Sequence, residues 1–213
     1  MQCTLISDLH GFKPKLDGGD LLIIAGDLTS RDFVEEHEDF CEWLEAQPYD
    51  QRVVIAGNHD GNIQKNLINS CINNTYLQDN ALNYGGYLIW GSPWTPTFFN
   101  WHYMKDRGEA IKERWNLIPK DVDILITHGP AYGILDYIET NKKNDIYEHV
   151  GCEELRKKLD DGDVKPKLHV FGHIHEGYGN IIFDGIRYVN ASIMDANYKP
   201  IRKPVNVKLK DKR

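Results

Sequence analysis

Seven side chains that can bind a metal ion follow short apolar runs at five places in this sequence. They comprise carboxylates, imidazoles and one amide: Asp8, His10, Asp27, Asn58, His128, His173 and His175. Oxygen and nitrogen donors without a thiolate suit manganese, iron, zinc or cobalt sites with open positions, rather than a closed structural zinc site. If one carboxylate is shared, each of two ions has four protein donors. The set therefore predicts a dinuclear centre, with manganese as the expected metal.

The local spacing of these donors carries part of the prediction. Asp8 and His10 are separated by one residue, so in an extended chain they face the same way, and His173 and His175 repeat this spacing. Alone, such a pair is more often a capped turn, and Gly-Asn-His-Asp at 57–60 is also a favoured turn sequence. The five clusters together favour a metal site over five unrelated turns.

Each cluster follows a run of β-branched and aliphatic residues that is typical of a strand buried on both faces. The runs occupy residues 3–7, 21–26, 53–57, 124–127 and 168–172. In open sheets, ligands bind beyond the carboxyl ends of the strands. The strands are therefore expected to bring all seven donors to one rim.

The remaining pattern predicts the fold class. Apolar residues recur at helical spacing over 32–47, 106–118 and 151–160, while 86–91 is a further strand candidate. Two more strands at 180–190 are joined by a hairpin turn. Strands that alternate with helices and then end in hairpins indicate an α/β domain with mixed sheets.

Composition limits the classes of protein that fit. No segment approaches the ~18 apolar residues needed to span a bilayer, and a charged residue at position 8 interrupts the first run, so it is not a signal peptide. We expect a cytoplasmic single domain over 1–213 with reduced cysteines. The net charge of −7 argues against non-specific nucleic-acid binding. It is compatible with a small phosphoester, nucleotides included, because bound metal ions would reverse the local field.

The C-terminal segment is basic, with seven Lys or Arg residues from position 199 onward. Val205, Val207 and Leu209 alternate with polar residues, which is the pattern of a half-buried strand, and Pro204 suits its start. We predict an edge strand here rather than a binding arm.

The five clusters look like the signature blocks of the calcineurin-like metallophosphoesterase superfamily, in order. They read Asp8-Leu9-His10, Gly26-Asp27, Gly57-Asn58-His59-Asp60, His128-Gly129-Pro130 and Gly172-His173-Ile174-His175. Intervening segments resemble the small metallophosphoesterase-domain-containing proteins of animal brain and their microbial relatives. These segments are Trp90–Pro96, Trp115–Pro119, Thr127–Pro130 and His169–Gly179.

The resemblance implies a four-layer αββα sandwich of two mixed β-sheets flanked by helices. It also implies two donor sets that share Asp27: Asp8, His10, Asp27 and His175 for one ion, and Asp27, Asn58, His128 and His173 for the other. It assigns His59 a catalytic role. The chemistry agrees, because His59 adjoins a predicted ligand and can protonate a leaving alkoxide.

Together these features predict a phosphodiesterase, cyclic nucleotides included among its substrates, in which a metal-bridging hydroxide attacks phosphorus in line. Two alternatives stay open. A phosphomonoesterase or protein phosphatase is favoured if Arg31 faces the metals, although Ser30 and Asp32 depart from the Gly-Asp-x-x-Asp-Arg-Gly block of protein phosphatases. We therefore interpret Arg31 first as a residue at a helix start. A non-catalytic scaffold would tend to lose motif residues, and all are retained here.

Other histidines and aromatic residues are given structural interpretations. His169 is predicted in a core strand, and His37, His102 and His149 on the surface or in loops. The aromatic segment Trp90–Tyr103 is predicted to be a loop held by burial of its rings, with one or two rings reaching the site. The alternative is a lid that stacks on a nucleobase or aryl leaving group.

Overall fold

The computed structural model describes residues 1–65, 76–141, 146–210 and 212. Two mixed sheets dominate it. The first has the strand order β14 (Val205–Lys208), β1 (Gln2–Ile6), β2 (Gly19–Ala25) and β3 (Tyr49–Ile55). The second has the order β12 (Gly179–Phe183), β13 (Ile186–Asn190), β11 (Leu168–Phe171), β8 (Ile124–Thr127), β5 (Tyr87–Ser92) and β4 (Asn80–Tyr84).

Shorter elements complete the described chain. Two-stranded pairs join β6 (Thr95–Pro96) with β7 (Met104–Lys105), and β9 (Tyr137–Asn141) with β10 (Ile146–His149). The helices are α1 (Val34–Glu45), α2 (Gly61–Gln64), α3 (Glu109–Trp115) and α4 (Glu153–Asp160), with a 3₁₀ turn at His175–Gly177. No helix within these described ranges is long and apolar enough to cross a membrane.

Most neighbouring strands in each sheet are parallel, and three of the four edge strands are antiparallel to their neighbours. β1, β2 and β3 pair in parallel, as do β5, β8, β11 and β13. At the edges, β14, β12 and β4 run the other way. The expectation of mixed sheets is therefore confirmed, and the basic C-terminal segment forms the predicted edge strand, with Val207 buried.

Alternate residues of the central strands pack into different apolar layers. One layer lies between the sheets and joins Leu5 and Ile23 of the first sheet to Ile89, Ile126 and Val170 of the second. Fully burying such a side chain contributes roughly 1.5–3 kcal/mol, so this layer fixes how the sheets face each other.

The opposite strand faces pack with the helices. Their residues, including Ile24, Val54, Trp90, Leu125 and Phe171, share a cluster with Phe40 and Leu44 of α1, Ile111 and Trp115 of α3, and Leu155 and Leu159 of α4. Continuous apolar runs buried on both faces thus produce the four layers that the resemblance implies: helix, sheet, sheet and helix.

Two local expectations are corrected. His37, expected at the surface or in a loop, is buried in α1, where its Nε2 lies 3.0 Å from Asp32 Oδ1. Cys3 and Cys152 are buried free thiols, whereas Cys41 is disulfide-bonded, so the expectation of reduced cysteines is wrong there. Cys71 lies outside the described residues.

The helix at 106–118 is shorter than predicted, because it begins only after Gly108, whose φ is +84°.

His169 is a core strand residue, as predicted. The Thr127 hydroxyl donates to the Gly129 carbonyl (2.7 Å), so the 2.8 Å bond between Thr127 Oγ1 and His169 Nε2 must be donated by the ring. The ring's Nδ1 is then unprotonated, and it has no hydrogen-bond partner among the described residues. Burial lowers the pKa of His169 to about 3, because a second ring proton would be enclosed without an acceptor.

This arrangement predicts a specific loss of stability in acid. The folded pKa of His169 lies below its unfolded value of about 6.5, so its contribution is complete above that pH and is lost as the pH falls towards 3. Between pH 7.5 and 5.5, the free energy of unfolding of metal-free protein should fall by roughly 1.4 kcal/mol more than that of His169→Gln. Urea denaturation at both pH values measures this difference. Equal pH dependence in the two proteins would contradict it.

Candidate metal centre

The predicted donors all lie just after strands, and at four of them the backbone adopts the left-handed conformation. Asp8, His10, Asp27 and His173 adopt positive φ angles of 55°, 42°, 52° and 66°. A residue with a Cβ atom pays about 1–2 kcal/mol for this conformation, and such strain persists where a functional constraint holds it. All four strained positions belong to groups of donors that could hold a metal ion.

The glycines of the motifs let the two sheet rims approach each other. A Cβ atom on Gly172, after β11, would collide with the Asp8 carboxylate after β1, and one on Gly57 would collide with the His128 ring as well as with Asp27 of its own rim. Gly26 likewise faces the His128 ring. These positions need glycine because side chains from the opposite rim occupy the space.

The Asp27 carboxylate stands between two groups of donors. Its Oδ2 lies 3.7 Å from His10 Nε2, and its Oδ1 lies 3.3 Å from His128 Nε2. On one side, Asp8 Oδ1 lies 3.4 Å from His175 Nε2. Residue groups that could each hold an ion, with donor atoms within 4.8 Å of one another, are Asp8, His10 and His175, then Asp27, His128 and His173, and also His10, Asp27 and His59.

Hydrogen bonds behind the donors fix their orientation. The His128 Nδ1–H donates to the Ala25 carbonyl (2.8 Å), and the His175 Nδ1–H donates to the Asp195 carbonyl (2.9 Å). Both rings therefore present an unprotonated Nε2 to the centre when they are neutral. Asn58 Oδ1 lies 3.0 Å from His128 Nε2, which adds the amide oxygen to the same group.

His10 shows most directly that a cation fits. Both of its ring nitrogens are buried, and neither has a hydrogen-bond partner in the part of the chain that the structure describes. Leaving such groups unpaired costs about 1–3 kcal/mol each. A metal ion bound to Nε2, beside Asp8 and Asp27, would satisfy one of them.

The carboxylates of Asp8 and Asp27 are held in their ionised form. Burial alone would raise the pKa of Asp8, but its hydrogen bond to His175 and the charge of that ring lower it to about 2. Asp27 behaves likewise, because His128 outweighs burial and keeps the Asp27 pKa well below its usual range. Against the effect of burial, Asp27 in turn raises the pKa of His128 to about 9. Without metal, the centre is thus a set of paired opposite charges that a cation can enter by displacing protons.

His59 lies at the edge of the centre. Its Nδ1–H donates to the Ser30 carbonyl (2.9 Å), so Nε2 is left available for proton exchange. Its backbone N–H donates to Asp27 Oδ1 (2.9 Å). The ring is edge-on to His10, with centroids 4.6 Å apart, and the Trp101 ring lies 4.4 Å away at 32°.

Asp60, which sequence reasoning left without a role, joins the turns after β2 and β3. Its buried carboxylate accepts backbone N–H bonds from Leu28, Thr29 and Gly57, and the Thr29 hydroxyl. These bonds hold the Asp27 turn against the Asn58 turn.

A cavity of about 480 Å³ opens over the centre. Sequence reasoning expected one or two rings of the aromatic segment here, and three line it: Phe98, Phe99 and Trp101. Trp94 and Tyr103 are instead buried, so the segment is both a packed loop and a cavity wall. Arg31 is exposed and is not among the lining residues.

Arg107 and Tyr198 also line the cavity, and sequence reasoning missed both. Arg107 donates to the carbonyls of Val150 (2.8 Å) and Gly151 (2.7 Å) and pairs with Glu153. Tyr198 belongs to no motif or periodic run. Arg107 lies at the start of the run over 106–118 but is not one of its apolar residues, so the sequence carried no signal for either side chain.

The histidines expected outside the site remain outside it. His149 is half-exposed, with its Nδ1 2.6 Å from Asp136 Oδ1, and the His102 ring packs against Gly61. Neither lines the cavity.

Residues 1–177 match the protein family described as calcineurin-like phosphoesterase. Metallophosphoesterase domain-containing protein 1 of Homo sapiens is 39% identical to the chain, over 96% of the chain and 69% of its own length. A UPF0046 protein of Caenorhabditis elegans is 32% identical, over 90% of the chain and 54% of its own length. The solved structure of a phosphopantetheinyl hydrolase from Mycobacterium tuberculosis has the same fold, with a TM-score of 0.60 at 15% identity, covering 95% of this chain and 93% of that one.

The bonding of Asp60 predicts the effect of Asp60→Asn. Both carboxylate oxygens accept backbone N–H groups, so in either amide orientation an NH₂ group faces a donor. We expect the metal-free variant to lose about 1–3 kcal/mol of unfolding free energy in urea denaturation. Asp17→Asn, at an exposed position, is the matched control. If both variants were equally stable, Asp60 would not be holding the turns together.

Proposed function

This chain belongs to the calcineurin-like phosphoesterase family, and we propose that it is a dinuclear-metal-dependent phosphodiesterase with His59 as the general acid. The family is one of metal-dependent phosphoester hydrolases. The proposal for this chain concerns which residues hold the metals, which residue moves the proton, and which class of ester is cleaved.

One observation carries the proposal: the two oxygens of Asp27 face different groups of imidazoles. Oδ2 faces His10 and Oδ1 faces His128. A carboxylate that divides its oxygens in this way suits a bridge between two ions. We assign Asp8, His10, Asp27 and His175 to one ion, and Asp27, Asn58, His128 and His173 to the other.

When bound, two ions of this kind supply Lewis acidity at phosphorus and water activation at neutral pH. The protein's own groups then determine the proton transfer. His59 keeps its Nδ1–H on the Ser30 carbonyl, so Nε2 can carry the proton that passes to the leaving oxygen. The backbone bond from His59 to Asp27 holds this ring beside the bridging carboxylate.

The cavity wall supports a diester rather than a monoester. A monoester dianion carries a second negative charge, which a free arginine would stabilise. Among the described residues that line the cavity, Arg107 is the one with a permanent positive charge, and Glu153 and two carbonyls already engage it. Much of the remaining wall is aromatic or aliphatic, which suits an organic substituent on each side of the phosphate.

The two alternative functions make different demands on the residues around the centre. A phosphomonoesterase that uses Arg31 as a clamp needs that side chain to turn towards the cavity from its exposed position. A non-catalytic scaffold needs no orienting bonds behind His128 and His175, yet both rings have them. We therefore retain the phosphodiesterase as the proposal.

The deciding assay uses metal-stripped protein reloaded with Mn²⁺. We expect kcat/KM to be higher for bis(p-nitrophenyl) phosphate than for p-nitrophenyl phosphate, and a chelator to abolish both activities. A preference for the monoester would instead support the monoesterase. No turnover of either ester, in protein with two bound Mn²⁺ per chain, would support the scaffold.

His59→Gln separates catalysis from metal binding. We expect two Mn²⁺ per chain to remain bound, while kcat/KM falls about 10²–10⁴-fold for diesters with poor, alkoxide-like leaving groups. The loss should be smaller for p-nitrophenolate, which needs little protonation. His149→Gln, outside the cavity, is the control and should keep full activity. Loss of one Mn²⁺ in His59→Gln would show that His59 is a ligand, grouped with His10 and Asp27.

A further inference from the structure

Tyr198 occupies a position that the proposed roles do not explain. Its ring lies 4.8 Å from the His10 ring and 5.0 Å from the His175 ring, edge-on to both, and it lines the cavity over the centre. The side chain is 57% exposed, so burial of its ring does not account for this placement.

The backbone at Tyr198 is strained in the conformation that places this ring. Tyr198 has a φ of 58°, which is costly for an aromatic residue. Its N–H donates to the Asp195 carbonyl (2.9 Å), and the Asp195 side chain accepts the N–H groups of Asn197 and Lys199. The Asp195 carbonyl also accepts the Nδ1–H of His175. One short loop therefore orients a predicted metal ligand and presents Tyr198 beside it.

The phenol is the polar end of this ring, and within the described ranges no hydrogen bond engages it. A phenol is protonated at neutral pH and can donate. Tyr198 and His59 both lie next to the His10 ring, at centroid distances of 4.8 and 4.6 Å, and both line the cavity. A phosphoryl group above the centre would thus lie in the cavity that both side chains line.

We propose that Tyr198 contacts the substrate, donating its phenolic O–H to a phosphoryl oxygen of the ester held over the centre. This inference rests on the proposed phosphoesterase function of the same site. It makes Tyr198 a phosphate-binding group beside His10 and His175.

The test uses full-length Mn²⁺-loaded protein and three variants. Tyr198→Phe keeps the ring and removes the hydroxyl, whereas Tyr198→Leu removes the ring as well. Tyr147→Phe is the matched control, because Tyr147 is similarly exposed but does not line the cavity. Three quantities are measured: bound Mn²⁺, the calorimetric Kd for inorganic phosphate, and kcat/KM for bis(p-nitrophenyl) phosphate.

We expect Tyr198→Phe to weaken phosphate binding and to lower kcat/KM, each about tenfold or more, because a hydrogen bond to a charged oxygen is lost. Its Mn²⁺ content should equal that of wild type, and Tyr147→Phe should match wild type throughout. The proposal is overturned if Tyr198→Phe behaves as wild type and only Tyr198→Leu is impaired, since the ring would then only cover the imidazoles. Loss of Mn²⁺ from Tyr198→Phe would also overturn it.

The two proposals fail in distinguishable ways. If wild type binds phosphate without turning over the diester, and Tyr198→Phe weakens that binding, the Tyr198 contact stands and the catalytic proposal fails. If wild type turns over the diester and Tyr198→Phe matches it in every quantity, the catalytic proposal stands and the Tyr198 contact fails. Wild type that neither binds phosphate nor turns over the diester contradicts both.

Discussion

The apolar layer between the two sheets is the interaction on which the metal centre depends. Asp8, His10, Asp27 and Asn58 follow strands of the first sheet, whereas His128, His173 and His175 follow strands of the second. The centre therefore straddles both sheets, and its short distances, such as Asp8 to His175, are set by how the sheets pack. Interiors this dense resist small shifts, so residues far from the centre determine its dimensions. The glycines at the rims have no side chains, so the rims of the two sheets can come this close.

The features predicted from sequence share a physical basis. Apolar strands that end in polar donors bring those donors to one edge of a sheet when neighbouring strands are parallel, so periodicity indicated the edge of each sheet at which the donors lie. The same reasoning placed His169 in the core. The prediction was wrong for His37, because α1 places that imidazole in the interior beside Asp32. The sequence gives little indication of whether a single polar residue lies on the buried side of a helix. The disulfide of Cys41 was missed because sequence spacing does not show which thiols meet in the fold.

Tyr198 and Arg107 illustrate what sequence periodicity does not encode. Both belong to irregular segments whose positions depend on single hydrogen bonds to carbonyls and carboxylates. The aromatic segment is an intermediate case. Asp79 accepts bonds from Ser92, from the Trp94 indole and from Arg114, which anchors the first part of that segment. The aromatic composition of the segment predicted that some of its rings would be buried. Which rings line the cavity depends on how much of the segment is bonded to Asp79, and the sequence does not show this.

The edge strand β14 has a consequence for biosynthesis. β1, which leads directly to Asp8, pairs on one side with β2 and on the other with β14, whose residues lie some two hundred positions later, as in Gln2 opposite Lys208. During translation, β1 leaves the ribosome well before β14 and keeps an unpaired edge until β14 emerges. An unpaired edge invites association with other nascent chains. Pairing across such a sequence separation is slow because the intervening loop must close first. The strand that leads to Asp8 is thus fully paired only late, and until β14 joins it the open edge of β1 can associate with other nascent chains.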